Sequence, residues 1–322
     1  PNQLAPQIAA SNMLMIQGAD VISEHTNTLL SLNDAMTPIG KAAGSEYRQG
    51  LFWGQISGGA ASKDATATLG GYDQNSYGLT VGSDIINSTN TKLGLAAGWM
   101  HGYASGNGNL AGTNVSSNSF QLSAYGAKRR GLAHIDGLVT LGYNQFNQAR
   151  NIAFLGSRAT ADYSGLSYMG RLTGGFDVPL RRGIMLTPTA SLEASRSDND
   201  GYTESGAGAA NLNVKRQIVN SVATLLGAKA TTTVPTAWGK LTPEIKLAWV
   251  HDLTNSPIAT HGVLGGVTFS TTTPRTSPDG AQISLGATLA QSDTLTLRAT
   301  YNADLRSDFQ SHTGLLKIEW GW

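Results

Sequence analysis

The chain has 322 residues, a formal net charge of +1 and only 13% charged residues, with no basic stripe of the kind that nucleic acid requires and too little charge for a disordered polymer. Mean hydropathy is −0.15 and no apolar run reaches the roughly 18 residues of a membrane helix, so a helical membrane protein is excluded. A membrane β-barrel is not, because its strands are only half apolar. There is no cysteine, which suits an envelope or secreted protein. The start at Pro1, with no initiator Met and no apolar leader, reads as a processing boundary.

The first element is predicted to be one helix. From Pro6 to Met36, Ile8, Met13, Leu14, Ile16, Val21, Ile22, Leu29, Leu30, Leu32 and Met36 recur at mixed three and four spacings, with entry through Pro6 and a stop before Pro38-Ile39-Gly40. Asp20, Glu24, His25, Asn27 and Asn33 make this helix too polar for lipid. Its length and polarity suit a wet channel; a surface helix on a soluble domain is the plainer alternative. The domain division expected is residues 1–42 for a linker helix threading a pore and 43–322 for the remainder.

From Leu51 the period becomes two. Tyr77, Leu79 and Val81 alternate with small polar residues, as do Leu93, Leu95, Ala97 and Trp99. Phe120, Leu122 and Ala124 alternate with Gln121, Ser123 and Tyr125. The pattern continues through Ile135 to Tyr143, Tyr168 to Val178, Ile184 to Leu192, Val222 to Ala230, Leu241 to Trp249, Ile283 to Leu289 and Leu295 to Tyr301. It ends in Leu316, Ile318, Trp320 and Trp322 against Lys317 and Glu319. With Leu51 to Ala61 this makes about twelve segments, an even number, each long enough for a tilted membrane strand. Between them, short connections such as 87–91 and 129–131 alternate with longer Gly/Ser/Asn-rich ones near 63–72, 105–117, 149–163, 198–213, 255–280 and 304–312. Such alternation is expected of short periplasmic turns and long extracellular loops. Trp53, Tyr77, Trp99, Tyr103, Tyr125, Tyr143, Phe176, Trp238, Trp249, Tyr301, Trp320 and Trp322 lie mostly near strand ends and are expected in interfacial girdles.

The fold class expected is therefore all-β, a transmembrane antiparallel up-and-down β-barrel of about 12 strands with an N-terminal α-helix inside the lumen. Asp20, Glu24 and Asp34 of the helix are candidates to pair with luminal Arg171, Lys229, Lys246 or Arg298. The last strand would close the barrel against the strand at Leu51 to Ala61.

Several short segments in order carry a resemblance: the N-terminal helix before Trp53, Tyr72-Asp73 leading to Tyr77-Gly78-Leu79 and Gly82-Ser83-Asp84, and Leu93 to Gly98. Leu186-Thr187-Pro188, Leu241-Thr242-Pro243, Trp249-Val250-His251 and the aromatic end follow. In these the chain resembles the C-terminal translocator domain (β-domain) of type V autotransporters. The resemblance implies a monomer in the outer membrane of a Gram-negative bacterium, in contact with outer-membrane lipid and lipopolysaccharide. It implies a helix joining an N-terminal passenger outside to a first strand that starts on the periplasmic side. It also implies that Leu316, Ile318, Trp320 and Trp322 are read by the barrel assembly machinery. A small-solute porin and an outer-membrane hydrolase stay open as alternatives.

No catalytic or cofactor signature accompanies this pattern, and neither a cofactor nor a metal is expected. His25, His101, His134, His251, His261 and His312 have no HExxH spacing, and no GxSxG serine elbow occurs. Self-cleavage through Asn12, Asn27 or Asn33 would need a junction that is absent: the Asn-Asn pair of the best-known self-cutting subgroup.

Overall fold

The computed structural model describes residues 5–35, 51–66, 70–88, 90–254, 256–292 and 294–321, with helix side chains described at 6, 10 and 13–26. The helix α1 spans Ala5–Ala35, within a residue of the span expected at each end. Its 31 residues correspond to roughly 46 Å, longer than a hydrocarbon core is thick. Among the described residues no helix is long and apolar enough to cross a membrane.

Twelve strands close into one ring. They are β1 (Leu51–Lys63), β2 (Tyr72–Asn87), β3 (Thr91–Gly106), β4 (Thr113–Arg130), β5 (Ala133–Ile152) and β6 (Ser157–Phe176). There follow β7 (Ile184–Asn199), β8 (Gln217–Thr232), β9 (Gly239–Asp252), β10 (Asp279–Ala290), β11 (Leu295–Arg306) and β12 (Phe309–Gly321). Every neighbouring pair is antiparallel, and β12 pairs with β1 from Leu51↔Gly321 to Lys63↔Phe309, so no edge is left open.

The outer face is greasy. Ile56, Leu79, Leu122, Val139, Leu247, Leu285 and Leu316 are among many large apolar side chains exposed there, far beyond what a soluble monomer tolerates. Leu316, Ile318 and Trp320 belong to this band, whereas Lys317 and Glu319 are buried toward the inside. Trp322 lies outside the described residues. Among the expected girdle aromatics, Tyr77, Trp99, Tyr103, Tyr143, Phe176, Trp249, Tyr301 and Trp320 are exposed on the outer face, and Trp238 on a turn. Trp53 and Tyr125 are a correction: both point inward and are buried.

The expected alternation of connection length also needs correcting. Residues 153–156 and 307–308 are shorter links than 177–183 or 233–238 on the opposite rim. The stretches 105–117 and 149–163 are mostly strand, because β4, β5 and β6 run on past the apolar band. There the outward residues become Asn118, Ser116, Gln145 and Asn147, so the hydrophobic period disappears while the hydrogen-bond ladder continues. The two truly long links, 200–216 and 253–278, build a second sheet from Tyr202–Thr203, Leu212–Val214, Ile258–Leu264 and Val267–Thr273.

Candidate functional site: the helix-filled lumen

The inward faces of the strands are polar, and α1 lies against the half of that wall made by β1–β6. Leu14, Met15, Ala19, Val21 and Ile22 pack with Ala96, Met100, Leu138 and Met169 in a single buried cluster. Higher up, Ala10 packs with Ala104, Val115 and Phe146 near the long-loop rim. Close approach is bought with glycine: a Cβ on Gly18 would collide with the Gln121 side chain, which donates to the Leu14 carbonyl at 2.9 Å. Gln17 ties two strands at once, donating to Ser57 Oγ at 2.9 Å and accepting from Ser76 Oγ at 2.7 Å.

The helix carboxylates meet luminal arginines. Arg171 on β6 donates to Asp20 at 2.8 Å and to Ser23 Oγ at 3.0 Å, while its other side holds Glu193 of β7 at 2.6 Å. Arg298 on β11 donates to Glu24 at 2.6 Å and to Glu244 at 3.0 Å. Lys229 stands 3.8 Å from Glu244 of the wall, and Lys246 makes no ion pair among the described residues. The Asp34 side chain lies outside the described residues, as do those of Asn12, Asn27 and Asn33. Each arginine thus serves one helix carboxylate and one barrel carboxylate. Buried charges persist when paired and hydrogen-bonded in this way.

A second cluster was not singled out from sequence. His25 Nε2 donates to Asp84 of β2 at 2.9 Å, and Nδ1 lies 3.1 Å from Glu319 of β12. Lys317 Nζ also lies 3.5 Å from Nδ1. The imidazole stacks on Trp53 of β1 with centroids 4.4 Å apart and meets the edge of Tyr125 of β4. Trp53 Nε1 donates to Tyr125 Oη at 2.8 Å, and Tyr125 donates to Asp84 at 2.7 Å. Lys317 pairs with Glu319 at 2.6 Å. One helix side chain therefore links strands on both sides of the β12–β1 seam. Tyr125 lies over Gly94, where a Cβ would strike the ring. Parity was the available signal: Tyr125 shares a face with Gln121 and Ser123, and Trp53 with Gln55 and Ser57.

Helix direction follows from these contacts. Ala10 lies by the long-loop rim, and His25 lies by the end where β1 begins and β12 finishes.

Among known proteins, outer membrane protein B of Rickettsia japonica is 26% identical over 299 residues, covering 87% of this chain and 18% of that protein. An extracellular serine protease of Serratia marcescens is 26% identical over 274 residues, 83% of this chain and 26% of its own length. The chain thus spans less than a fifth of the rickettsial relative. Among solved structures, the translocator domain of autotransporter NalP from Neisseria meningitidis superposes with a TM-score of 0.70 at 16% identity, covering 96% of this chain and 97% of that one. The β-domain of the Bordetella autotransporter BrkA gives 0.61 at 17%, over 85% and 99%. These two likenesses show the fold. The apolar outer face and the rickettsial relatives place the barrel in a Gram-negative outer membrane. The Autotransporter beta-domain family model matches residues 52–302, and the chain belongs to that family.

Proposed function

We propose that this barrel is a translocator: it inserts in the outer membrane, lets the chain N-terminal to α1 pass through its bore, and anchors that passenger with the helix left as a plug. The observation that carries this reading is the polarity of the helix, whose N-terminal part lies at the long-loop rim inside a closed ring. Long loops face outward in outer-membrane barrels. Residues 1–42 form the linker and 43–322 the barrel in this reading, with a boundary outside the described residues. Asp20–Arg171 and Glu24–Arg298 hold the plug. Leu316, Ile318, Trp320 and Trp322 are the residues that the assembly machinery reads, and lipopolysaccharide and lipid cover the outer face. The role is one of transport and not of catalysis.

A reporter fused ahead of Pro1 tests this directly. It is expected to be cut by protease added to intact cells; a reporter that stays protected while the barrel is folded would sink the proposal. Deleting residues 1–35 is expected to raise single-channel conductance several-fold, and an unchanged conductance would remove the plug from the scheme.

A further inference from the structure

The two rims of the ring carry different charge. On the long-loop rim both signs are exposed: Asp64, Asp73, Asp162, Asp200 and Asp279 stand among Arg158, Arg196, Lys215 and Arg216. Over the arc from β4 to β9 the opposite rim exposes only cations among the described residues. Lys128 and Arg130 end β4, Arg181 and Arg182 lie in the link 177–183, and Lys240 stands at the start of β9. The links of this arc, 131–132, 177–183 and 233–238, hold a single acid, Asp177. It is 4% exposed and is already taken up by Arg129 and Thr187, each donating to it at 2.6 Å. Lys128, Arg130, Arg181 and Arg182 make no ion pair among the described residues, whereas Lys240 has a partner of its own.

These cations stand where the apolar band ends. Lys128 and Arg130 share the outward face of β4 with Phe120, Leu122 and Ala124. Around them Leu132, Phe176, Leu180, Ile184 and Val234 are exposed, and Trp238 is 77% exposed. Large apolar side chains on a wet rim forgo their burial energy. Interleaved with Lys and Arg, they suit the headgroup level of a bilayer, where an indole and a snorkelling cation each keep one end in water. Two of the links are tied to one another, since the Asp177 amide donates to the Leu132 carbonyl at 2.8 Å. Arg182 has a φ of 63°, the one positive φ of a non-glycine among the described residues. That conformation favours glycine, and a guanidinium occupies it all the same.

We propose that this arc is a binding surface for anionic phospholipid. The lipid phosphate lies against Lys128, Arg130, Arg181 and Arg182, and the acyl chains lie against the apolar band beside them. Guanidinium and ammonium groups meet phosphate oxygens through charge-assisted hydrogen bonds, and salt screens their attraction to an anionic surface. Lipid is favoured over an acidic protein because Lys128 and Arg130 lie on the outward strand face, continuous with the lipid-facing wall. The inference rests on the lipid contact and orientation of the proposed function, and it names the class of lipid for the periplasmic rim. Passenger passage plays no part in lipid choice, so the reporter result and the lipid result are separable.

Electron paramagnetic resonance of spin-labelled lipids, with the whole folded chain in phosphatidylcholine bilayers, tests it. Phosphatidylglycerol is expected to be selected over phosphatidylcholine at the protein surface by about twofold, averaged over the first lipid shell. High salt is expected to remove most of that preference. Combining Lys128→Gln, Arg130→Gln, Arg181→Gln and Arg182→Gly is expected to abolish it, while Arg158→Gln with Lys215→Gln on the other rim leaves it in place. Folding of each variant is checked by its heat-modifiable migration. Where the combined variant fails to fold, Arg181→Gln with Arg182→Gly, confined to a link, is expected to remove about half of the preference. No preference in the native chain, one that salt does not weaken, one unchanged in the folded variant, or equal loss in the long-loop variant would overturn the proposal. Displacement of phosphatidylglycerol by soluble polyglutamate at matched charge would also overturn it, marking the arc as a surface for acidic protein.

Discussion

Around His25 the ring supplies Asp84 with a donor and Trp53 with a stacking face, and its Nδ1 sits between Glu319 and Lys317. Removing the ring leaves the buried Asp84 carboxylate short of a donor, a loss of about 1–3 kcal/mol. His25→Ala is thus expected to lower the denaturant midpoint of the folded barrel clearly, while His261→Ala, in the loop hairpin, leaves it nearly unchanged. Tyr125→Phe keeps the ring but removes the acceptor for Trp53 and the donor to Asp84, and is expected to cost about 1–3 kcal/mol in the same measurement. At this scale the sequence was half readable. Alternation already set Tyr125 opposite Leu122 and Ala124, yet its aromatic type pulled the reading toward a lipid-facing girdle. His25 gave no local signal, because its partners are 59 and 294 positions away in the chain.

Helix α1 is pinned by arginines that each keep a second carboxylate on the wall, so the pins can be released without stripping the arginines bare. Asp20→Asn with Glu24→Gln is expected to leave Arg171 on Glu193 and Arg298 on Glu244. About 1.5–3 kcal/mol of helix docking should be lost at each pin. Single-channel records should then show more frequent large openings in a barrel of unchanged stability; an unaltered open probability would contradict this role.

The strap of residues 274–278 is held in a different way. Lys63 pairs with Asp308 at 2.6 Å, the Ser277 amide donates to Asp308 at 2.7 Å, and Arg306 donates to the Ser277 carbonyl at 2.8 Å. Burial alone would raise the Asp308 carboxyl, but the hydrogen bonds from Lys63 and Ser277 outweigh it and hold it below the ordinary aspartate range. A carboxylate lowered on folding contributes stability above its unfolded value of about 3.9, lost as pH falls through the folded value. Hydrogen exchange of residues 253–278, corrected for intrinsic rates, should therefore quicken below about pH 4. Asp308→Asn should remove most of that pH dependence. The helix was legible from its mixed spacing and the strands from their period. The tops of β4–β6 were not, since a strand standing in water on its outer face carries no hydrophobic alternation for a reader to find.

For the whole molecule, closure rests on the thirteen-residue match of β12 with β1, and the ring has no other pairing for either strand's second edge. Truncation after Glu319 removes the partners of Leu51 and Phe52 and the exposed indole of Trp320. It is expected to sharply reduce the fraction of chain that becomes resistant to unheated detergent, before any effect on transport can be read.

The leaning of α1 onto β1–β6 also has an evolutionary reading. Inward positions on β3, β4 and β5, such as Gly102, Gly142 and Gln121, face a packed surface and have little freedom to change size. Inward Ala223, Leu225 and Val250 on β8 and β9 border open space and can drift in volume. A saturation scan scored by folded yield should therefore divide the ring into an intolerant arc and a permissive one, a record in mutational tolerance of where the linker rests.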